Sequence, residues 1–144
     1  MPTITFDSSA CKRLVTVMSP QDAITRWAAA WSAHDVEALL ALFTDDIVYE
    51  DVPMGVSVSG MVELRAFFRR VLSDLPDITF ELISSSDDGD RGHAEWTMRG
   101  TRLGTSVEVR GVSVFEFADG KIRRCSDYWD MATYLKQLGL ADKG

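Results

Sequence analysis

The sequence predicts an α+β fold in which helices pack on one face of a strongly curved, antiparallel sheet. Two observations support this fold class: apolar residues repeat at helical spacing in the first half of the chain, and long segments of alternating polarity fill the second half. A bent sheet that is closed by helices forms a cone, and the mouth of a cone is a natural ligand site. The chain of 144 residues is long enough for one domain with a single core and a modest pocket.

The chain is predicted to begin with an N-terminal arm, residues 1–18, and to continue as one domain over residues 19–144. The arm has mixed character, and we expect it to be loose. The first helix is predicted to start at Ser19, because serine is a good N-cap, Pro20 suits the first helical position and Asp22 completes a capping box. An apolar face at helical spacing follows this cap.

Two further helices and one strand are predicted before the long alternating segments. Asp35 is placed as the cap of a short second helix, and the β-branched segment 46–52 is predicted to be a strand that ends at Pro53. The third helix is predicted over residues 60–74. Its broad apolar stripe consists of Val62, Leu64, Phe67, Phe68, Val71 and Leu72.

The remainder of the chain is predicted to be a β-meander followed by a short C-terminal helix. The alternating segments cover residues 78–86, 91–101, 106–118 and 121–129. Two Asp-Gly sequences supply tight turns between neighbouring strands. The last helix is predicted to be capped by Asp130 and to end at Gly139, with Trp129 and Tyr134 packed together as a hydrophobic staple.

Period-two alternation places a few polar side chains among apolar ones on the inner face of the predicted cone. Asp127 shares a face of the last strand with Cys125 and Trp129, and Tyr49 and Asp51 share a face of the early strand. The predicted cavity wall and substrate contacts are Trp27, Trp31, Met54, Trp96, Met98, Val109, Ser113, Phe115 and Trp129. The predicted site is therefore an apolar cavity with few polar groups.

Asp127 is the candidate acid or base of this surface. Burial disfavours a carboxylate and raises its pKa toward the range that proton transfer at neutral pH requires. The alternative is a structural carboxylate that is hydrogen-bonded to a tyrosine hydroxyl or to a helix end. A similar alternative exists for Asp51, because an aspartate before the segment Val-Pro-Met-Gly can also form a turn.

Composition and charge disfavour several classes of function. The formal net charge of −7, with acids and bases interspersed, argues against nucleic acid and anionic membrane surfaces as partners. No apolar run approaches the ~20 residues that span a bilayer, and the N-terminal segment lacks the pattern of a secretory signal. Two cysteines and two histidines offer little material for a disulfide framework, a metal site or a serine triad. We therefore expect a cytoplasmic protein without a metal ion or a cofactor.

Two segments, AHDVEALLALFTDDIVYEDVPMG and FEFADGKIRRCSDYWDMATYLKQLG, resemble the SnoaL-like polyketide cyclases of the nuclear transport factor 2-like superfamily. The resemblance covers about residues 19–140, and the same superfamily holds steroid isomerases and limonene-epoxide hydrolases. It implies a cystatin-like α+β barrel and a homodimer. The cyclases use one aspartate as acid/base in an apolar cavity, without a cofactor. The resemblance implies that Asp127 corresponds to this aspartate.

The resemblance to ketosteroid isomerases is partial. Their general base corresponds to Asp51, but their two oxyanion donors correspond to Trp27 and Ser113, so neither donor is kept. Many relatives also carry a longer segment that opens with a histidine where this chain has Arg102, which predicts a more open mouth.

The resemblance to limonene-epoxide hydrolases is also partial. Their water-binding residues correspond to Tyr49, Asp51 and Asp127, with aspartate in place of asparagine at the second position. Their arginine and their proton-donating acid correspond to Trp96 and Met98, so this half of the site is missing.

The predicted function is cofactor-independent acid/base chemistry on an apolar small molecule, as in a cyclase or isomerase of polyketide-type substrates. Asp127 would remove or return a proton, Asp51 would be its counterpart, and Tyr49 would orient water or a developing oxyanion. The alternatives are epoxide opening and a non-catalytic binding module of the same fold. Val112 and Val114 on the outer face of the sheet predict a homodimer through that face.

Overall fold

The computed structural model describes residues 3–7 and 13–140, with side chains from residue 18 onward. The elements follow in the order β1 (Thr3–Asp7), β2 (Arg13–Val17), α1 (Pro20–Ser32), α2 (Val36–Leu40), β3 (Phe43–Asp51), β4 (Val56–Ser59), α3 (Gly60–Asp74), β5 (Thr79–Asp87), β6 (Arg91–Arg102), β7 (Thr105–Ala118), β8 (Lys121–Trp129) and α4 (Met131–Gln137). The predicted helices and the four strands of the predicted meander are present. The α+β fold class, with helices on a curved sheet, is confirmed.

The predicted arm contains regular structure. β1 and β2 form a two-stranded antiparallel sheet of their own, in which Thr3 pairs with Val17. The expectation of a loose arm is therefore corrected for these two segments. Both are rich in β-branched residues, which favour an extended backbone. Residues 8–12, which connect them, lie outside the described residues.

The main sheet has six strands in the open order β4-β3-β8-β7-β6-β5. Neighbouring strands are antiparallel except β3 and β8, which run parallel. This pair corrects the prediction of a purely antiparallel sheet, because α3 and the meander carry the chain back to the starting end of β3 before β8 begins. The parallel register aligns Asp51 with Asp127 and Tyr49 with Cys125. Both acids therefore project from the same face of neighbouring strands.

Side-chain caps fix the start of three helices. Ser19, Asp35 and Asp130 each accept a hydrogen bond from the backbone N–H three residues later, over 3.0–3.1 Å. The rings of Trp129 and Tyr134 lie edge to face with centroids 5.3 Å apart, and they form the predicted staple at the start of α4. The predicted starts of α1, α2 and α4 are thus confirmed.

Helix α3 buries a narrower stripe than the sequence analysis predicts. Leu64 and Phe68 are fully buried, whereas Val62 is 83% exposed. Val62 lies two residues from Leu64, which is about 200° around the helix axis, so it points away from the sheet. The other predicted stripe residues are partly buried and pack against the core.

The core lies between the inner face of the sheet and the helices. Helix α1 packs on β5, and α3 packs on β3 and β4. Trp27 of α1 is fully buried, and its ring centroid lies 5.3 Å from that of Phe80 and 5.5 Å from that of Phe115. None of the helices in the described part of the chain is long and apolar enough to cross a membrane.

Candidate functional site

A mainly apolar cavity of about 120 Å³ lies between the inner face of the sheet and α1, α3 and α4. Seven of the residues predicted for the site line it: Trp31, Asp51, Met54, Trp96, Met98, Asp127 and Trp129. The other lining residues are Phe67, Val71, Asp74, Leu75, Ile78, Phe80, Arg102 and Tyr134. The period-two register assigned to the strands is therefore confirmed at Trp96 and Met98, whose side chains border the cavity.

Asp127 lies in the wall of this cavity, and its carboxylate accepts hydrogen bonds from neighbouring strands. Tyr49 Oη donates to Oδ2 over 2.5 Å, and Ser113 Oγ donates to Oδ1 over 2.5 Å. The Cys125 thiol is a third and weaker donor, with Sγ 3.4 Å from Oδ1. The hydrogen bond from a tyrosine hydroxyl, which is expected if Asp127 is a structural carboxylate, is thus present. The same carboxyl group also faces the cavity, so its geometry suits both interpretations.

Burial raises the pKa of Asp127 from an ordinary value of 3.8 to about 6. The hydrogen bonds from Ser113 and Tyr49 favour the ionised form and limit this rise, whereas the negative charge of Asp51 adds to it. A carboxyl group with a pKa near neutrality can both accept and return a proton under physiological conditions.

Asp51 is the second acid of the cavity. Its Oδ1 accepts a hydrogen bond from Trp129 Nε1 over 2.8 Å and another from the Met54 backbone N–H over 3.3 Å. Burial raises the pKa of Asp51, and these two hydrogen bonds oppose the rise. The hydrogen bond to Met54 closes the turn that is expected if Asp51 is a turn-forming residue. Within the described ranges, no group of three or more His, Cys, Asp or Glu side chains could hold a metal ion.

Tyr49 and Cys125 lie behind the wall of the cavity. Both are almost completely buried, and neither is among the lining residues. Burial and the charge of Asp127 raise the pKa of the Tyr49 hydroxyl well above its ordinary value, so it remains a donor. The same two causes raise the pKa of the Cys125 thiol. Tyr49 therefore holds Asp127, and the structure does not favour the predicted role of orienting water or an oxyanion.

An ion pair stands where the cavity meets the surface. Arg102 Nη1 lies 2.9 Å from Asp74 Oδ2, and the Arg102 guanidinium lies close enough to Tyr134 of α4 for the two groups to influence each other's pKa. These three residues also line an adjoining outer pocket of about 310 Å³. The sequence predicts an open cavity mouth at Arg102. In the structure, contacts between α3, β6 and α4 lie at this position.

Four predicted contact residues do not reach the cavity. Trp27, Val109 and Phe115 are at most 2% exposed and lie in the core behind the wall. We do not retain these three among the proposed substrate contacts. Ser113 is also fully buried, but it belongs to the site because it donates to Asp127.

Three residues of the mouth were not named as site residues from the sequence. Asp74 ends a helix, Arg102 ends a strand and Tyr134 was assigned only to a staple. No local pattern brings these positions together, because they belong to three elements that meet only in the folded chain. The departure from the family pattern at Arg102 was the one available signal.

This architecture is that of a known family. The chain belongs to the SnoaL-like domain family, whose model matches residues 24–125. Asp127 lies two residues beyond the matched segment. No curated protein matches the chain significantly.

Solved structures of the same fold agree with this assignment. A protein of Catenulispora acidiphila with a ketosteroid isomerase-like fold, in complex with trimethylamine, is similar with a TM-score of 0.78 and 24% identity over 85% of this chain and 95% of that one. A protein from a Silicibacter species that is named as a candidate polyketide cyclase has a TM-score of 0.71 and 26% identity, over 81% and 93% of the two chains. A SnoaL-like cyclase candidate of Shewanella putrefaciens has a TM-score of 0.74 and 15% identity, over 83% and 96%.

Proposed function

We propose that this chain is a cytoplasmic, cofactor-independent acid/base enzyme that acts on an apolar carbonyl compound, as a cyclase or isomerase of polyketide-type substrates does. The observation that carries this proposal is the carboxyl group of Asp127. It borders an apolar cavity, and its pKa of about 6 suits proton transfer near neutral pH. A group with a strongly raised pKa in a cavity is a candidate catalytic residue on physical grounds.

In this proposal Asp127 accepts a proton from the carbon next to a carbonyl group. The electrons of the broken C–H bond move to the carbonyl oxygen and form an enolate. An isomerase then returns the proton from Asp127 to a different carbon. In a cyclase the enolate carbon adds to a second carbonyl group, and Asp127 returns its proton to the resulting alkoxide.

Asp51 is the counterpart of Asp127 in this reaction. The two residues are aligned on neighbouring strands, and two carboxyl groups in one apolar site tend to exchange a single proton. Because burial raises the pKa of Asp51, its acid form is more populated than that of an exposed aspartate. In that form it can donate a hydrogen bond to the enolate oxygen.

The size of the cavity limits what reacts there. The cavity volume of about 120 Å³ is close to that of engineered apolar cavities that bind benzene, and a polycyclic ligand is larger than this volume. We propose that the reacting end of the substrate is about one ring in size. The rest of a larger substrate would lie in the outer pocket of about 310 Å³.

Hydrogen–deuterium exchange tests this proposal without knowledge of the natural substrate. The probes are cyclohexanone and ethyl acetoacetate in D2O at neutral pD, and proton NMR measures the loss of the α-protons. We expect the chain to accelerate exchange and Asp127→Asn to lower the rate by about 10²–10⁴. Asp45→Asn is the matched control, because Asp45 is exposed on the same strand as Asp51. Full exchange by a folded Asp127→Asn variant, or no acceleration of either probe by the unsubstituted chain, would overturn the proposal.

Epoxide opening remains a second candidate because Asp51 could donate the proton that the missing acid supplies in limonene-epoxide hydrolases. In this case Asp127 would activate water, and oxygen from ¹⁸O-labelled water would enter the product, which cyclisation does not give. A binding module of the same fold would bind the small carbonyl probes without accelerating their exchange.

A further inference from the structure

The Ser113 hydroxyl lies between two partners with different hydrogen-bonding capacity. Trp96 Nε1 donates to Ser113 Oγ over 2.9 Å, and Ser113 Oγ lies 2.5 Å from Asp127 Oδ1. An indole N–H can only donate, whereas a hydroxyl donates one hydrogen bond and accepts two. Ser113 must therefore accept from Trp96, and its own proton is left for the carboxylate of Asp127.

Ser113 also has an alternative partner. The Cys125 thiol donates to the same Asp127 oxygen as Ser113, with Sγ 3.4 Å from Oδ1, so its sulfur lies near the serine hydroxyl. Sulfur is a weak acceptor, and nothing in Ser113 itself stops its hydroxyl from turning toward that sulfur. The N–H of Trp96 occupies one lone-pair direction of the serine oxygen, which favours the orientation that donates to Asp127.

The absence of a Cβ atom at Gly111 makes room for the Trp96 indole. Gly111 on β7 pairs with Trp96 on one side and with Trp129 on the other. A Cβ atom at position 111 would lie 2.5 Å from a ring carbon of Trp96 and 2.8 Å from the Cβ of Trp129. The indole can thus cross β7 and reach Ser113 only because position 111 is a glycine.

The four tryptophans differ in how their N–H groups are used. Trp96 and Trp129, on the sheet, donate to Ser113 and to Asp51 respectively. The N–H groups of Trp27 and Trp31, on α1, are buried without a partner among the described residues. The hydrogen bond of Trp96 is therefore not a general consequence of burying an indole in this core.

We propose that Trp96 is a positioning residue that acts through Ser113: its N–H holds the serine hydroxyl as a donor to Asp127 and leaves the carboxylate oriented toward the cavity. The significance of this relay for catalysis rests on the proposed function of Asp127. The contact itself is a property of the chain without any ligand, so it can be tested separately.

The pKa of Asp127 is the direct readout of this relay. A donor to a carboxylate favours its ionised form, so loss of the donor raises the pKa of Asp127 above about 6. The titratable and charged groups that face Asp127 or line the same cavity are Tyr49 and Asp51 on β3, Cys125 on β8, Asp74 on α3, Arg102 on β6 and Tyr134 on α4. None of these groups changes in the variants used to test the relay.

The test is a double-substitution cycle in the unliganded chain. Carbon-13 NMR of labelled aspartate carboxyl groups gives the pKa of Asp127, and Asp127→Asn identifies its resonance. We expect Ser113→Ala to raise the pKa, Trp96→Phe to raise it less, and the double variant to match Ser113→Ala alone. Trp31→Phe is the matched control, because this ring lines the same cavity but its N–H has no partner among the described residues. It should leave the pKa unchanged.

Exchange kinetics provide the second readout. In Trp96→Phe, the rate with the two carbonyl probes should fall by a factor on the order of ten, the equivalent of about one hydrogen bond. If Trp96→Phe does not fold, Gly111→Ala displaces the indole by a different route and should raise the pKa of Asp127 in the same way.

The inference is overturned if Trp96→Phe leaves the pKa of Asp127 unchanged, or if the effects of Trp96→Phe and Ser113→Ala add. Either result could occur together with a loss of exchange activity in Asp127→Asn. In that case the relay would be refuted and the proposed function would still be supported. A coupled cycle together with full exchange in Asp127→Asn would instead support the relay and remove the proposed function.

Discussion

The contribution of Asp127 to stability should decrease as the pH rises, and Asp127→Asn should remove this dependence. Burial raises the pKa of Asp127 to about 6 in the folded chain, compared with an ordinary value of 3.8 when the chain unfolds. Between these two pKa values the folded chain binds more protons than the unfolded chain. The contribution of Asp127 to stability is therefore fully present below the unfolded pKa and is lost as the pH rises through the folded pKa. The two values differ by about two pH units at about 1.4 kcal/mol each, which gives a loss of about 3 kcal/mol between about pH 4 and pH 8.

The quantity to compare is the free energy of unfolding of Asp127→Asn minus that of the unsubstituted chain. Urea unfolding, followed by tryptophan fluorescence at one protein concentration, measures it across this pH range. Tyr49 and Ser113 donate to different oxygens of Asp127, and asparagine replaces one of these oxygens with an NH2 group. The donor that loses its acceptor costs about 1–3 kcal/mol, but this cost does not change with pH. The difference should therefore move by about 3 kcal/mol in favour of asparagine as the pH rises. A difference that is constant with pH would mean that Asp127 titrates like an exposed aspartate, and the argument from burial would be refuted.

Two further predictions concern the second acid and the assembly. Asp51→Asn removes a negative charge that raises the pKa of Asp127, so the pH at which exchange activity reaches half its maximum should shift downward; an upward shift would contradict the proposed coupling. The outer face of the sheet carries the half-buried Val112 and Val114 beside Tyr128, which is 43% exposed. We expect a homodimer through this face, and Val112→Arg should convert it to a monomer in sedimentation at micromolar concentration. A monomeric unsubstituted chain would show that this face has another role.

The sequence determined the elements of this fold because their signals are local. Capping residues and apolar periodicity predict helix starts, and Ser19, Asp35 and Asp130 all cap helices in the structure. Alternation assigns each strand residue to one of two faces, which is why Trp96 and Asp127 were both predicted on the inner face. The same reasoning missed the short strand β4 and the pairing of β1 with β2.

Alternation does not say how deep along a strand the cavity begins. Phe115 has the alternation of an inner-face residue of β7, but it packs against Trp27 of α1 in the core, behind the wall of the cavity. The apolar stripe of helix α3 has the same limit. It predicts which residues are buried but does not predict which end of the stripe lies at the site.

Only the tertiary structure decided which side chains meet. The parallel pairing of β3 with β8 aligns Asp51 with Asp127, although 76 positions separate them along the chain. The relay from Trp96 through Ser113 to Asp127 likewise needs three strands in one register and a glycine at position 111. Strand order and register depend on contacts between distant segments, and a local pattern carries no information about them. The sequence by itself thus placed an acid on an apolar face, and the tertiary structure supplied the neighbours that set its pKa.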